Sequence, residues 1–294
     1  MKIKALGIED VPAFRDYFKK YSFEQDESFP PTVDYIPRID EPAILLIDDN
    51  ADIAGAAVLM LHKEYKEAKT GRFRMFHCIR KEAELYRVLQ NEILKYTKGL
   101  NDIYCFVEDF RTDTKDVWEK LGFKIKRYSF ALKRDVLNFT PPEFPEGFTL
   151  KTFRHGIDEQ AWCDIINESF ANMQGHVHLY PSKIDEWKND PSFLAEGMKM
   201  LWHGNEPIGT MAVMKENENG EDVAFIEAVG ILNSYQGRGL GKNLIRAGLE
   251  FSMDSGFNNV MLSVNAENER AADLYVREGF KKEALIICYH LKFN

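Results

Sequence analysis

Gly122-Phe123 recurs 157 residues later as Gly279-Phe280, and the stretches leading up to the two pairs lie over each other without a gap. At that offset Gly99 falls on Gly256, Ile103 on Val260, Val107 on Val264 and Val117 on Leu274. One shared glycine is easily chance; several matches at a single offset over about forty residues read as an internal duplication. The repeat is far too long for a solenoid, so the chain must build two domain-sized copies of one α/β plan. A length of 294 residues is enough for two such domains.

Both halves spell the plan in the same order. A short strand (3–6; 148–153) runs through Gly7-Ile8-Glu9-Asp10 or Gly156-Ile157-Asp158-Glu159 into a helix, with acids at the positive end of the helix dipole. Apolar strands are expected over 43–47 and 53–61, then over 198–203, 207–214 and 224–231. Each half closes as helix, strand, helix, strand: 82–97, 103–108, 114–121 and 124–132, then 241–255, 260–265, 269–278 and 281–291. Pro141, Pro142 and Pro145 interrupt helix and central strand alike. They predict domains over 1–138 and 148–294 with a linker over 139–147.

Composition excludes several classes. Hydrophobic content of 45% and charged content of 29% are those of a globular chain. No apolar run approaches the ~20 residues of a membrane span, and Glu9 and Asp10 stand where a signal peptide would be apolar. No membrane partner is expected. A net charge of −9 argues against a nucleic-acid surface, which needs a basic patch. Cys78, Cys105, Cys163 and Cys288 are far apart, without metal spacing, and read as core residues of a cytoplasmic protein.

The chemistry is concentrated in the strand and turn over 224–242. An apolar strand enters a turn with glycines at 237, 239 and 241, which opens an amphipathic helix carrying Leu244, Ile245, Leu249 and Phe251. Open N–H groups at a helix start attract anions. Glycines admit a phosphate to the backbone, and Arg238 and Lys242 add positive charge. A dinucleotide GxGxxG from Gly237 would need glycine where Lys242 stands. A GxxxxGK[ST] loop would need Gly at Gln236 and Ser or Thr at Asn243. Both fail.

What fits is Q-x-x-G-x-G at Gln236, Gly239 and Gly241, followed by Asn268-x-x-Ala271-x-x-Leu274-Tyr275-x-x-x-Gly279-Phe280. These two stretches resemble the GCN5-related N-acetyltransferase (GNAT) superfamily over roughly residues 147–294. The first half is similar in plan only, so the whole resembles a tandem acetyltransferase of the mycothiol synthase type. The resemblance implies an α/β fold of two tandem GNAT-like domains, each a mixed, mostly antiparallel twisted sheet flanked by helices. It implies acetyl-CoA as cofactor and a small-molecule or peptide amine as acceptor.

Carried over residue by residue, the resemblance places the diphosphate on Gln236, Gly237, Arg238, Gly239, Leu240, Gly241 and Lys242. The pantetheine arm lies along the backbone of Val229, Gly230 and Ile231, beside Asn268 and Tyr275. An alkyl ammonium with a pKa near ~10.4 is seldom neutral at pH 7, so transfer needs a base for its proton and an acid for the departing thiolate. Glu227, among Phe225, Ile226, Ala228 and Val229, is the expected base, its pKa raised by burial. Tyr275 is the expected acid. Each has a plain alternative: a structural carboxylate, and a core tyrosine under Phe280. Asn268 also suits a helix cap.

In the first copy the offset lays Ile79-Arg-Lys-Glu-Ala-Glu84 over 236–241, Trp118 over Tyr275 and Arg111 over Asn268. Glu82 and Glu84 replace glycines. A carboxylate about 4 Å from a phosphate costs roughly 4 kcal/mol at an effective dielectric near 20, about a thousandfold in affinity. The first domain is expected to bind no cofactor and to be structural or to help shape the acceptor cleft.

The segment 170–180, with Phe170, Gln174, His176 and His178, is expected at the acceptor site, where the family's loop after the first helix often covers the substrate. His176-Val-His178 without a third ligand does not make a metal site. Phe73, Phe76 and Phe106 read as core; 63–69 and 215–222 read as solvated connections. Two other functions fit the same motifs: a protein acetyltransferase, recognisable by an open groove, and a non-catalytic acyl-CoA-binding module, which would lack turnover. A monomer or a homodimer is equally compatible.

Overall fold

The computed structural model describes residues 1–293 apart from 27, 33, 174, 189 and 219. The first half of the chain forms β1 (Lys2–Ala5), α1 (Val11–Tyr21), β2 (Ala43–Ile47), β3 (Ile53–Met60), α2 (Lys63–Glu67), β4 (Thr70–Cys78), α3 (Ala83–Ile93), β5 (Asp102–Glu108), α4 (Thr112–Lys120) and β6 (Lys124–Asp135). The second forms β7 (Phe148–Thr152), α5 (Glu159–Ser169), α6 (Pro181–Trp187), β8 (Met198–His203), β9 (Glu206–Glu218), β10 (Glu221–Ile231), α7 (Leu240–Asp254), β11 (Asn259–Asn265), α8 (Glu269–Arg277) and β12 (Lys281–Lys292).

These elements make two compact units, Met1–Ser129 with Ala284–Asn294, and Phe130–Glu283. The expected boundary at 139–147 is therefore not where the units divide. The chain leaves the first unit in the middle of β6 and returns to it in the middle of β12. Strand order is β1-β2-β3-β4-β5-β12 in the first unit and β6-β11-β10-β9-β8-β7 in the second. The cause is apolar patterning at both strand ends. Ile287 and Tyr289 of β12 are buried with Val107, Trp118 and Phe123 in the first core, while Leu132 and Val136 are buried with Phe280 and Leu262 in the second.

The proline-rich stretch is not a free tether. Asn243 on α7 holds both backbone groups of Glu143, at 3.1 and 2.6 Å, and Phe139 and Phe144 pack on the second core. Three further pieces depart from expectation. β4 is a full strand that was not among the expected ones, its Arg72 and Arg74 paired with Asp26 and Glu41. Residues 63–67 form the short helix α2, and residues 215–222 continue the β9–β10 hairpin. α6 buries Ile184 beside Trp162 and Met198.

In each unit one parallel strand pair opens like a V. β10 and β11 are in register only at Ala224↔Val260 and Phe225↔Met261, although both strands run on. β4 and β5 pair only from Thr70↔Asp102 to Arg72↔Tyr104. Residues beyond these pairs keep backbone groups that a ladder would otherwise use.

Candidate active site

The V of the second unit is forced open by a bulge in β10. Pairing with β9 passes from Glu227↔Ala212 to Gly230↔Thr210, three residues against two. Such an extra residue bends a strand and raises its twist. Ala228 takes up the excess with φ +51°, the left-handed region that a residue with a Cβ adopts only at a cost. Thr210 Oγ1 donates to the Ala228 carbonyl at 2.8 Å and so holds the bulge from beneath.

The bulge also decides which way the side chains face. Cross-strand partners share a sheet face, and Ala212 belongs to the core cluster beneath α5. Glu227 therefore faces α5, whereas Ile226 packs against Gly248 of α7 on the other face. Glu227 is partly buried and accepts no hydrogen bond from the described residues. Loss of hydration raises its pKa to about 7, helped by the charges of Glu216 and Asp190. Those two carboxylates, and Thr210, lay outside the sequence reading. Thr210 and Glu216 are brought near by the long β9, and Asp190 by the connection between α6 and β8, which no local pattern announces.

Past the bulge, β10 ends at Ile231 and the chain enters the glycine-rich turn. Gly237 and Gly239 have φ +82° and +76°, and α7 starts at Leu240 without a side-chain cap. Leu240 is anchored in the core while 237–239 lie exposed. The first N–H groups of α7 thus point outward from a fixed base. A methyl group built on Gly239 would meet nothing within 4 Å, and on Gly241 only Leu274 Cδ2 at 4.0 Å. A diphosphate fits such a turn: donors are open and the approach is clear.

The side chains around the turn take unequal parts. Gln236 folds back to the Ile231 carbonyl (3.0 Å) and to Asn233 (3.1 Å), bracing the loop. Arg238 lies along the loop, bonded to the Ser234 carbonyl and over the Tyr235 ring. Lys242 stands in the first turn of α7. Arg270, not singled out from the sequence, places Nη2 4.0 Å from where a Cβ of Gly237 would be. Its position two residues after the cap of α8 was the available signal.

Asn268 caps α8 by accepting from Ala271 N at 3.2 Å. Tyr275, one turn on, is partly buried with its ring 6.1 Å from Phe280. Burial raises its pKa to about 12, so the phenol is protonated at neutral pH. Asn167 of α5 grips both backbone groups of Leu179 and contacts His178 Nε2 at 3.2 Å. The ring of Phe170 stacks on that of His176, whose pKa is lowered by burial and by His178. Gln174 lies outside the described residues.

A bulged, splayed α/β sheet with a bare helix start at its open end is the architecture of GCN5-related acetyltransferases. A GCN5-related N-acetyltransferase from Sphaerobacter thermophilus superposes with a TM-score of 0.68 at 18% identity, over 99% of this chain and 95% of that one. A tandem GNAT protein from the clavulanic acid biosynthesis pathway gives 0.73 at 14%, over 99% and 98%. Residues 159–280 match the Acetyltransferase (GNAT) family model. Mycothiol acetyltransferases from Streptomyces scabiei and Catenulispora acidiphila are 32% and 28% identical over 54% and 58% of this chain. The aligned regions are 52% and 56% of those relatives, so the chain spans about half the length of the curated relatives it matches.

Proposed function

We propose that the second unit transfers an acetyl group from acetyl-CoA to a primary amine of a small molecule or peptide. The observation that carries this reading is the open helix start of α7, which follows the strand carrying a half-buried carboxylate with its pKa raised to about 7. The turn over 236–242 holds the diphosphate. The backbone of Val229, Gly230 and Ile231, on the open side of β10, lies along the pantetheine arm and polarises the thioester carbonyl; a donor so aimed is worth about 3 kcal/mol.

Glu227 takes the proton of the attacking nitrogen, through water or directly. At a pKa of about 7 it is a stronger base than an ordinary carboxylate and still largely ionised above neutrality. The new C–N bond forms as the C–S bond breaks, and Tyr275 protonates the leaving thiolate. Phe170, His176 and His178 border the acceptor. The names of the mycothiol acetyltransferase relatives support acetyl transfer.

The first unit is read as a silent copy. α3 begins at Ala83, the counterpart of Leu240, but its N-terminal turn carries Glu82 and Glu84. Lys81, the counterpart of Arg238, is paired with Glu24. Trp118 is fully buried against Phe76 and Phe123 where the second unit has Tyr275.

Calorimetric titration with coenzyme A tests both statements. One site per chain is expected. No binding ends the transferase reading, and two sites end the silent-copy reading. Tyr275→Phe should keep the affinity and lose at least tenfold in kcat for thiol release; unchanged turnover removes Tyr275 from the chemistry.

A further inference from the structure

Ser169, the last residue of α5, carries a hydroxyl that the roles above leave unused. A helical serine ordinarily satisfies itself on the carbonyl four residues back, as Ser252 of α7 does on Gly248 at 2.7 Å. Ser169 does not. Its Oγ is shut off from solvent and has no hydrogen-bond partner among the described residues. It is turned instead toward the bulge: a methyl group built on Gly230 would stand 3.2 Å from it and 3.2 Å from Thr210 Oγ1. Only a glycine at 230 lets α5 bring this oxygen so close to β10.

Gly230 and Glu227 are three residues apart, a spacing that in a regular strand puts them on opposite faces. Their partners Thr210 and Ala212 are two apart on β9, so the bulge turns both toward α5. The orphaned hydroxyl and the carboxylate therefore share one face beside one irregularity. Thr210 is already committed to the Ala228 carbonyl; Ser169 is uncommitted.

We propose that Ser169 reads the acceptor as a primary amine. This rests on the acetyl-transfer reading and deepens it. A neutral primary amine directs its lone pair at the thioester carbon and has two N–H bonds left over. One proton goes to Glu227. The other N–H donates to Ser169 Oγ, which fixes the lone pair in line. A secondary amine puts a methyl group where that second N–H would be, against an oxygen left unpaired, and buried polar groups left unpaired discriminate strongly. Ser169 Oγ is covered in this conformation, and an amine N–H reaches it when the contact between α5 and β10 opens.

The experiment compares wild type and Ser169→Ala by thiol release from acetyl-CoA, with spermidine, glucosamine and a lysine-containing peptide, each beside its N-methyl analogue. Wild type is expected to prefer the primary amine at least 50-fold in kcat/KM. S169A should lower kcat/KM for the primary amine 10- to 100-fold and reduce that preference to below fivefold. Its affinity for coenzyme A, its melting midpoint and its acid-limb pKa should be those of wild type. A variant that keeps the wild-type preference overturns the proposal, because a merely structural serine would not set it. No thiol release by wild type with any of these amines removes the acetyl-transfer reading itself, and this proposal with it.

Discussion

At the scale of single residues, Glu227 sets opposing demands on stability and chemistry. Its carboxyl is raised from an ordinary 4.5 to about 7 in the folded chain. The folded state therefore binds the proton more tightly than the unfolded state. Stability from this group is full below about pH 4.5 and is lost as pH rises through 7. A shift of this size amounts to roughly 3 kcal/mol for a dry site, and partial hydration reduces it to about 1–2 kcal/mol. Glu227→Gln should accordingly raise the melting midpoint at pH 8, with the gain shrinking toward pH 5, while removing turnover. A scan at both pH values checks it, and an unchanged midpoint at pH 8 would show the carboxylate to be well hydrated. For the wild type, log kcat/KM should climb with unit slope to a bend near pH 7 and then level, since the base works only when ionised. The residue types of this site were legible in the sequence: Glu227 in an apolar strand, Tyr275 in a patterned helix. Ser169 and Arg270 were not, because a serine ending a helix and an arginine beginning one are unremarkable until the folded chain shows what they approach.

Among elements, the start of α7 and the start of α3 are one feature in two states. Gly239→Glu would copy Glu82 of α3 into the cradle. The position has open space around it, so the side chain fits, and φ +76° adds strain of about 1 kcal/mol. Coenzyme A affinity should fall about a thousandfold. Gly239→Ala, which adds the strain without the charge, should lose less than tenfold; equal losses in both variants would mean that shape, not charge, silences the first copy. α8 is held to α7 by Arg246 and Glu278, a two-bond pair at 2.8 and 3.1 Å with both side chains largely buried. Removing one partner strands the other, so Arg246→Ala should cost about 3 kcal/mol in denaturant unfolding and loosen the helix that carries Tyr275. A loss below 1 kcal/mol would mean that water replaces the pair. Most elements were visible in advance because their apolar spacing is local. β4 was not among the strands expected, because Arg72 and Arg74 break its apolar run and their partners Asp26 and Glu41 come from distant loops.

For the whole molecule, the two units complete each other's strand sets through a chain that crosses twice. Deleting 284–294 takes Ile287 and Tyr289 from the first core and leaves β5 without the strand paired to it from Asp102 to Glu108. Hydrogen exchange should then show protection lost in β5 and α4 but kept in β9 and α7. Uniform loss, or none, would contradict the division. The sequence by itself determined that there are two copies of an α/β plan, that the second opens a helix with a bare glycine-rich turn, and that the first has glutamates at the matching positions. Those properties depend on residue type and local spacing: glycine against glutamate, and apolar period against polar break. Only the tertiary structure decided which unit each final strand belongs to, and that a bulge at Ala228 puts Glu227 and Gly230 on the face that meets α5, where Gly230 lies against Ser169. Strand partnership and side-chain direction depend on the register between segments far apart in the chain, where a shift of one residue exchanges the two faces of a sheet.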